Sequence, residues 1–272
     1  MSSYIVTLIR KKSIPSITYI KFVILTLMAR EHLQLDPETE RSYSRQIYGH
    51  EIWLGKVERD GNIVSTYGLY GHMMVPDKPM PTDYANVLLY DDNGRVEDPD
   101  REIIKNPSGW LFSFEDKGAD VYTLYVDSNS TWVSTESGWH RGAKRDFSEV
   151  KFSGAYNMVA KRIISRDGIN PGSVMHSSLE IMPEKATLKA GEVAKLKVLY
   201  KGEPLPSAKV ICYAQDDEDF TTYKTDENGV LIYPVVKSVP HVFIAKYTDE
   251  DLSVNDEFDE TSFTTTLTLE AQ

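Results

Sequence analysis

Hydrophobic and polar positions alternate in short segments along most of the chain after residue 46, and turn-forming residues separate these segments. Alternation with a period of two is typical of half-buried β-strands. The clearest strands are predicted at residues 47–58, 63–70, 85–90, 110–114 and 121–127, and the sequences RDGN, DDNG and EDKGAD between them supply the residues that tight turns need. We therefore expect a mainly β protein whose first domain, at residues 47–172, is a β-sandwich.

One segment of this first domain, SEVKFSGAYNMVAKRII, has an apolar spacing closer to that of a helix. Ser148 would cap its first turn, and its apolar side chains would lie roughly on one face: Val150, Phe152, Val159, Ile163 and Ile164. We therefore expect one short amphipathic helix between or beside the sandwiches. Residues 141–166 also carry seven basic and two acidic side chains, which predicts either a positive surface for an acidic partner or a solvated helix face.

A second strand-rich block follows the sequence INPGS at residues 169–173, which has the composition of a hinge. Its β-rich runs include LEIMP, VAKLKVLY, AKVICYA and VFIAKYT, and turns such as KAGE and DENG separate them. We predict that residues 173–272 form an immunoglobulin-like β-sandwich. The fold class is then mainly β, with two β-sandwich domains.

Charge and cysteine content narrow the possible functions. Residues 28–272 hold 26 of the 30 basic residues against all 41 acidic residues, a net charge of −15. Nucleic-acid binding draws much of its affinity from basic side chains, so we expect no nucleic-acid partner. The single cysteine, Cys212, excludes an intrachain disulfide and a cysteine-rich zinc site, and its place in AKVICYA predicts a buried small residue.

The first 46 residues are set apart from the fold, as a poorly ordered leader or a weak signal-like segment. Their longest uncharged stretch in the apolar region, residues 22–29, has eight residues, far fewer than the roughly 20 that a membrane-spanning helix needs. The basic residues at 10–12 followed by an apolar centre favour a signal sequence and an extracytoplasmic location, such as the periplasm or cell surface. Alternatively, Met28 is the true start and the protein is cytoplasmic.

The candidate functional residues are two histidines in similar sequence motifs, IYGHEIWLG and YGLYGHMMVP. These motifs place His50 and His72 on neighbouring predicted strands. A two-residue turn at Asp60 and Gly61 would put the two imidazoles on opposite faces of the hairpin, whereas a three-residue loop at residues 59–61 would put them on one face as diagonal neighbours. From diagonal positions, about 7 to 8 Å apart, two imidazoles can converge on one cation. The histidines could equally be structural residues beside an aromatic cluster.

Other side chains are further candidate donors. Glu51 is adjacent in sequence but would face away in a regular strand, and Met73, Met74 and Asp77 follow His72. His140 and His176 could approach only through the fold. We find no nucleophile elbow, P-loop or dinucleotide fingerprint, so we expect neither an enzyme nor an organic cofactor.

The sequences of these motifs resemble those of the extracytoplasmic component of nickel/cobalt uptake systems, a family long catalogued as a domain of unknown function. The resemblance covers about residues 48–270 and rests on GHEIWL, YGLYGHMMVP, GADVYTLYV and the series LEIMP, KAGE, VLYKGEPLP and TDENG. It implies two β-sandwich domains, export, Ni²⁺ or Co²⁺ as bound cargo, and membrane subunits of a metal transporter as partners.

By position in these motifs, the resemblance carries the metal-binding role to His50 and His72. One departure matters: about 20 residues separate Ala29 from His50, which prevents chelation by a mature amino terminus unless the chain is processed further. Without that resemblance, the alternative function is a β-sandwich module for protein interaction or adhesion, with structural histidines.

Overall fold

The computed structural model describes residues 50–72, 74–76, 79, 85–105, 107–215, 217 and 220–272. The first nine strands are β1 (Glu51–Asp60), β2 (Ile63–His72), β3 (Val75–Pro76), β4 (Ala85–Asp91), β5 (Gly94–Arg95), β6 (Asp100–Lys105), β7 (Ser108–Glu115), β8 (Val121–Thr135) and β9 (Gly138–Arg141). The rest are β10 (Phe152–Ser165), β11 (Leu179–Pro183), β12 (Thr187–Leu188), β13 (Val193–Tyr200), β14 (Glu203–Pro204), β15 (Lys209–Ala214), β16 (Thr221–Lys224), β17 (Val230–Pro234), β18 (His241–Asp249) and β19 (Glu260–Ala271).

The mainly β class is confirmed, and the five clearest predicted strands correspond to β1, β2, β4, β7 and β8. Within the described residues these strands form three sheets. The N-terminal sheet has the order β1-β2-β7-β6 with β3 on β2, and the C-terminal sheet has the order β11-β13-β14 with β17 on β13. The central sheet has the order β16-β15-β18-β19-β10-β8-β4-β5, with β12 on β19 and β9 on β8.

The predicted amphipathic helix is wrong: its segment forms β10, which lies between β8 and β19 in the central sheet. A strand with both faces covered carries apolar residues on both faces and loses the alternation that would reveal it. Val159 and Ile163 of β10 are buried on one face, and Ala160 and Ile164 on the other. In the described part of the chain, the only helical element is one 3₁₀ turn at Lys144–Asp146.

The central sheet is buried on both sides. On one side, Leu124 and Val126 of β8 share a core with Ile52 and Leu54 of β1 and with Phe112 of β7. On the other side, the ring of Tyr233 in the C-terminal sheet meets that of Phe243 in β18, with centroids 5.0 Å apart. The N-terminal and C-terminal sheets therefore pack on opposite faces of the central sheet.

The predicted domain boundary between residues 172 and 173 stays a prediction. Strand β10 pairs in parallel with β19, from Gly154 opposite Glu260 to Arg162 opposite Thr268, so the central sheet contains strands from both predicted domains. The predicted leader, residues 1–46, lies outside the described residues. Within the described residues, no helix has the length and apolarity needed to cross a membrane.

Candidate functional site

The hairpin β1–β2 sets the positions of the two candidate histidines. Its turn consists of Gly61 and Asn62, because Asp60 pairs with Ile63, and Gly61 has a φ of 60°. A glycine with positive φ at the first central position is typical of two-residue type II′ turns. The loop therefore follows neither of the two registers that the sequence suggested.

A β-bulge in β1 then brings His50 and His72 to the same face of the hairpin, as the metal hypothesis requires. Leu54 pairs with Gly68 and Val57 with Thr66, so Gly55 and Lys56 together oppose Tyr67. The extra residue shifts the register by one, and Glu51 pairs with Gly71 at the far end of the hairpin. This register points the side chains of His50 and His72 to the same face.

The rings of His50 and His72 lie together, with centroids 4.0 Å apart and planes inclined by 39°. His50 also stacks on Tyr70, a buried residue of the core, with centroids 4.4 Å apart. His50 is half-buried and His72 is exposed. The pair thus rests on the end of a packed core and has one side open to solvent.

Glu51 does not join this pair. Its side chain lies on the other face of β1, where it is 1% exposed and its Oε1 accepts a hydrogen bond from Lys246 Nζ at 2.8 Å. Trp53 lies on the same face and packs with Ile211, Val242 and Ile244 of β15 and β18. This face of the hairpin therefore attaches β1 to the central sheet rather than building the site.

The other candidate donors are distributed differently. His140 of β9 has its Nε2 at 2.9 Å from Ser137 Oγ and 3.2 Å from Thr135 Oγ1, and its ring stacks on Phe147. His176 lies in the segment before β11, and Met74 packs beside the Trp53 cluster. Met73 and Asp77 lie outside the described residues. Among the described residues, no group of three or more His, Cys, Asp or Glu side chains is placed to hold a metal ion.

Two neighbouring imidazoles can act chemically as a pair of nitrogen ligands. Neutral imidazole suits Ni²⁺, Co²⁺, Cu²⁺ and Zn²⁺ alike, so the pair alone does not select among these ions. Two ligands leave the remaining coordination positions to water or to another molecule. The structure brings His50 and His72 together, and their role as metal ligands stays a prediction.

The basic segment at residues 141–166 does not form a free positive surface. At least six of its basic side chains pair with carboxylates: Lys144 with Asp259, Arg145 with Glu257, Lys151 with Glu136, Lys161 with Glu180, Arg162 with Glu270, and Arg166 with Asp116. Most of these partners are distant in sequence, which is why composition alone suggested a positive patch.

Two further residues, Cys212 and His241, are buried away from the histidine pair. Cys212 is buried, as predicted, and burial raises the pKa of its thiol. His241, which the sequence analysis did not single out, is fully buried: its Nδ1 lies 2.8 Å from Tyr233 Oη, and its Nε2 lies 3.0 Å from the Lys237 carbonyl oxygen. Burial lowers the pKa of His241, and these two partners suit the neutral ring. The only sequence signal for this role was the neighbouring β-strand pattern.

Comparison with known proteins gives a family but no activity. A family model described as a domain of unknown function (DUF4198) matches residues 47–249. No curated protein matches the chain.

The solved structures are distant. The chain is similar to native alpha-2-macroglobulin from Escherichia coli, spanning domains MG0-NIE-MG1, at 9% identity over 82% of this chain and 74% of that one, with a TM-score of 0.21. It is similar to the N-terminal four immunoglobulin domains of Dscam1 isoform 1.9 at 15% identity over 82% of this chain and 52% of that one, with a TM-score of 0.18. The chain thus spans about half the length of that Dscam1 structure, and scores this low support no inference about function.

Proposed function

The chain belongs to the DUF4198 family, a domain of unknown function, and from that premise we propose that it is a non-catalytic protein that binds Ni²⁺ or Co²⁺ through His50 and His72. The observation that carries the proposal is the contact between the two rings, whose centroids lie 4.0 Å apart on one face of a hairpin. Cross-strand imidazoles in this position can both turn toward one ion.

The surroundings of the pair suit an ion that is bound and then released. The stacking of His50 on the buried Tyr70 fixes one ligand, whereas the exposed His72 leaves the ion accessible. Coordination positions that the two histidines do not fill would be available to a partner's ligands. We therefore propose that the metal is cargo, and that the partners are the membrane subunits of a metal uptake transporter.

This role requires an extracytoplasmic location, which we propose for the mature protein. Amino-terminal sequencing of the native protein tests it, because export predicts that the mature chain lacks the apolar segment at residues 22–29. A chain that begins at Met28 and stays in the cytoplasm would instead indicate an intracellular metal carrier.

Calorimetric titration of Ni²⁺ and Co²⁺ into the full chain tests the metal site. We expect His50→Ala and His72→Ala to lose at least about tenfold in affinity, because each removes one of two imidazole ligands. His140→Ala is the matched control, because its ring has local partners on β9. Equal affinity of all four proteins would refute the proposal.

The pH dependence of binding gives a second test. Metal binding by imidazole requires the deprotonated ring nitrogen, so the affinity should fall as the solution is acidified. A pH-independent affinity would indicate ligands other than histidine.

An exposed tryptophan favours a second candidate function, a module for protein interaction or adhesion. Trp139 of β9 is 55% exposed and meets Phe152 edge to face. Tryptophan is enriched among the residues that dominate binding energy at interfaces. If this function is correct, Trp139→Ala should abolish cross-linking to a partner, whereas His72→Ala should leave it unchanged.

A further inference from the structure

A groove of about 970 Å³ lies on the central sheet, apart from the paired histidines. Its floor includes Tyr125, Asp127 and Asn129 of β8 and Asn157 of β10. Side chains alternate along a strand, and Leu124 and Val126 of β8 point into the core with the N-terminal sheet. The groove therefore occupies the opposite face of β8.

Three segments wall the groove. Residues 141–146 and the loop at 252–258 contribute to the lining, and residues 175–178, just before β11, complete it. The volume lies within the range of about 300–1,000 Å³ that is typical of small-molecule sites.

The floor of the groove is a network of planar polar side chains. Asn157 Nδ2 donates hydrogen bonds to Asp127 Oδ1 and to Asn129 Oδ1, both at 2.8 Å. Asn129 Nδ2 donates to Asp127 Oδ1 at 3.1 Å. The three side chains thus hold one another in fixed orientations across two neighbouring strands.

This network still has hydrogen-bonding capacity for a ligand. Both Nδ2 hydrogens of Asn157 are used, but its Oδ1 remains an acceptor, and so does Asp127 Oδ2. Asn129 uses one of its two Nδ2 hydrogens and keeps a donor. Donors and acceptors side by side suit hydroxyl groups, which both donate and accept.

The charges of the lining disfavour a strongly charged ligand. Arg145 pairs with Glu257 at 2.8 Å, and Asp146 Oδ2 accepts a hydrogen bond from the Ala143 N–H at 3.0 Å. With Asp127 and Arg141 added, the described residues of the lining include three carboxylates and two guanidinium groups. A neutral ligand avoids the desolvation cost of placing a net charge among them.

Aromatic side chains supply apolar surface beside this polar floor. Tyr90 and Phe258 line the groove and are half-buried. A tyrosine ring offers an apolar face together with a polar hydroxyl. This combination suits a ligand with C–H faces and hydroxyl edges.

The wall at residues 175–178 is held in place from below. Glu180 accepts hydrogen bonds from the N–H groups of Met175 at 2.9 Å and His176 at 3.1 Å, and it pairs with the buried Lys161. His176 has a φ of 54°, a strained conformation for a residue with a side chain, which persists only where the surrounding structure imposes it. A wall fixed in advance loses less entropy when a ligand binds.

A peptide strand does not fit this floor. The floor belongs to the ladders that join β4, β8, β10 and β19, so its backbone groups are already paired. Strand addition needs an open sheet edge. Recognition here must rely on side chains.

From these contacts we propose that the groove binds a short neutral saccharide. The Asp127, Asn129 and Asn157 side chains bond its hydroxyl groups, and Tyr90 and Phe258 contact its C–H faces. This inference is independent of the metal proposal, because neither His50 nor His72 is among the residues that it uses.

The experiment is a glycan array of neutral tri- and tetrasaccharides, built from glucose, N-acetylglucosamine, mannose or galactose, probed with the full chain. Hits are then titrated calorimetrically with variants. We expect Asn157→Ala and Asn129→Ala to weaken binding by about tenfold or more, because each removes hydrogen bonds to the ligand or to its partner on the floor. Asn129 is exposed, so its truncation tests the groove even if Asn157→Ala does not fold.

Asn228→Ala is the matched control, on the turn between β16 and β17, and it should bind as the native protein does. His72→Ala should also bind normally, which separates failure of this inference from failure of the metal proposal. The inference is overturned if the native chain binds no neutral saccharide at millimolar concentration, if it binds only charged glycans or peptides, or if Asn129→Ala and Asn157→Ala both bind at native strength.

Discussion

Replacing Lys161 with methionine tests the buried ion pair beneath the wall of the groove. Lys161 Nζ lies 2.8 Å from Glu180 Oε1, and the two side chains are 3% and 4% exposed. Burial lowers the pKa of Lys161, and Glu180 opposes that effect. Methionine keeps most of the volume of the lysine stem but leaves the Glu180 carboxylate without its counter-charge.

The expected cost follows from the two opposing contributions to this pair. Two unit charges 2.8 Å apart attract by about 6 kcal/mol at an effective dielectric constant of 20, and burying each ion costs several kcal/mol. Breaking such a pair from one side costs about 3–5 kcal/mol. Because Glu180 keeps two backbone N–H donors, from Met175 and His176, we expect Lys161→Met to cost about 3 kcal/mol.

Urea unfolding followed by tryptophan fluorescence measures this cost. The double variant Lys161→Met with Glu180→Gln removes both charges. The two backbone donors bond different oxygens of Glu180, so the single amide oxygen keeps an acceptor for only one of them, and the double variant should recover about 1 kcal/mol of the loss. A single variant within about 1 kcal/mol of the native protein, or a double variant no more stable than the single, would refute the reasoning.

Three further predictions concern other buried or paired groups. Arg162→Leu should cost about 1 kcal/mol or less in the same urea assay. Arg162 is fully buried with unpaired Nε and Nη1, and its partner Glu270 is 40% exposed and can be hydrated when the arginine is removed. A cost above about 3 kcal/mol would contradict this prediction. Burial raises the pKa of Asp116, but hydrogen bonds from the Gly118 N–H, Arg59 and Arg166 outweigh it and lower that pKa from 3.8 to about 2. The stabilisation from ionised Asp116 is therefore present above pH 4 and lost between pH 4 and 2, so the stability gap between native protein and Asp116→Asn should narrow over that window in thermal melts. Burial lowers the pKa of His241 from 6.5, so the unfolded chain binds a proton more readily than the folded protein and the folded state loses stability as the pH falls below 6.5. Urea midpoints at pH 7 and pH 5 should therefore differ less in His241→Gln than in the native protein. Equal differences would contradict this prediction.

The sequence was sufficient for the strands that have one exposed face. In β2 the burial alternates from Val64 to Tyr70, and the predicted strand at residues 63–70 lies within the observed Ile63–His72. The same signal failed for β10, because neighbours on both sides bury both of its faces. The period of the apolar residues along a strand shows whether one or both of its faces are buried. Which faces are buried depends on how the other sheets pack against it.

The sequence also singled out His50 and His72, because a repeated phrase with a rare residue is visible without a structure. It did not determine whether the two rings share a face. That depended on a turn at Gly61 and Asn62 and on one extra residue near Gly55. Each of these features shifts the pairing of the two strands, and together they put both histidine side chains on the same face.

Local pattern therefore determined the β class, five of the ten strands described in the first predicted domain, the burial of Cys212 and the identity of the candidate histidines, because each of these depends on residues close together in the chain. The tertiary structure decided what depends on distant partners. It placed six basic side chains of residues 141–166 against carboxylates, turned a predicted helix into a central strand, and built a polar groove from four strands and three connecting segments. Pairing between strands far apart in sequence is set by the free energy of the whole packed arrangement, which no short segment contains.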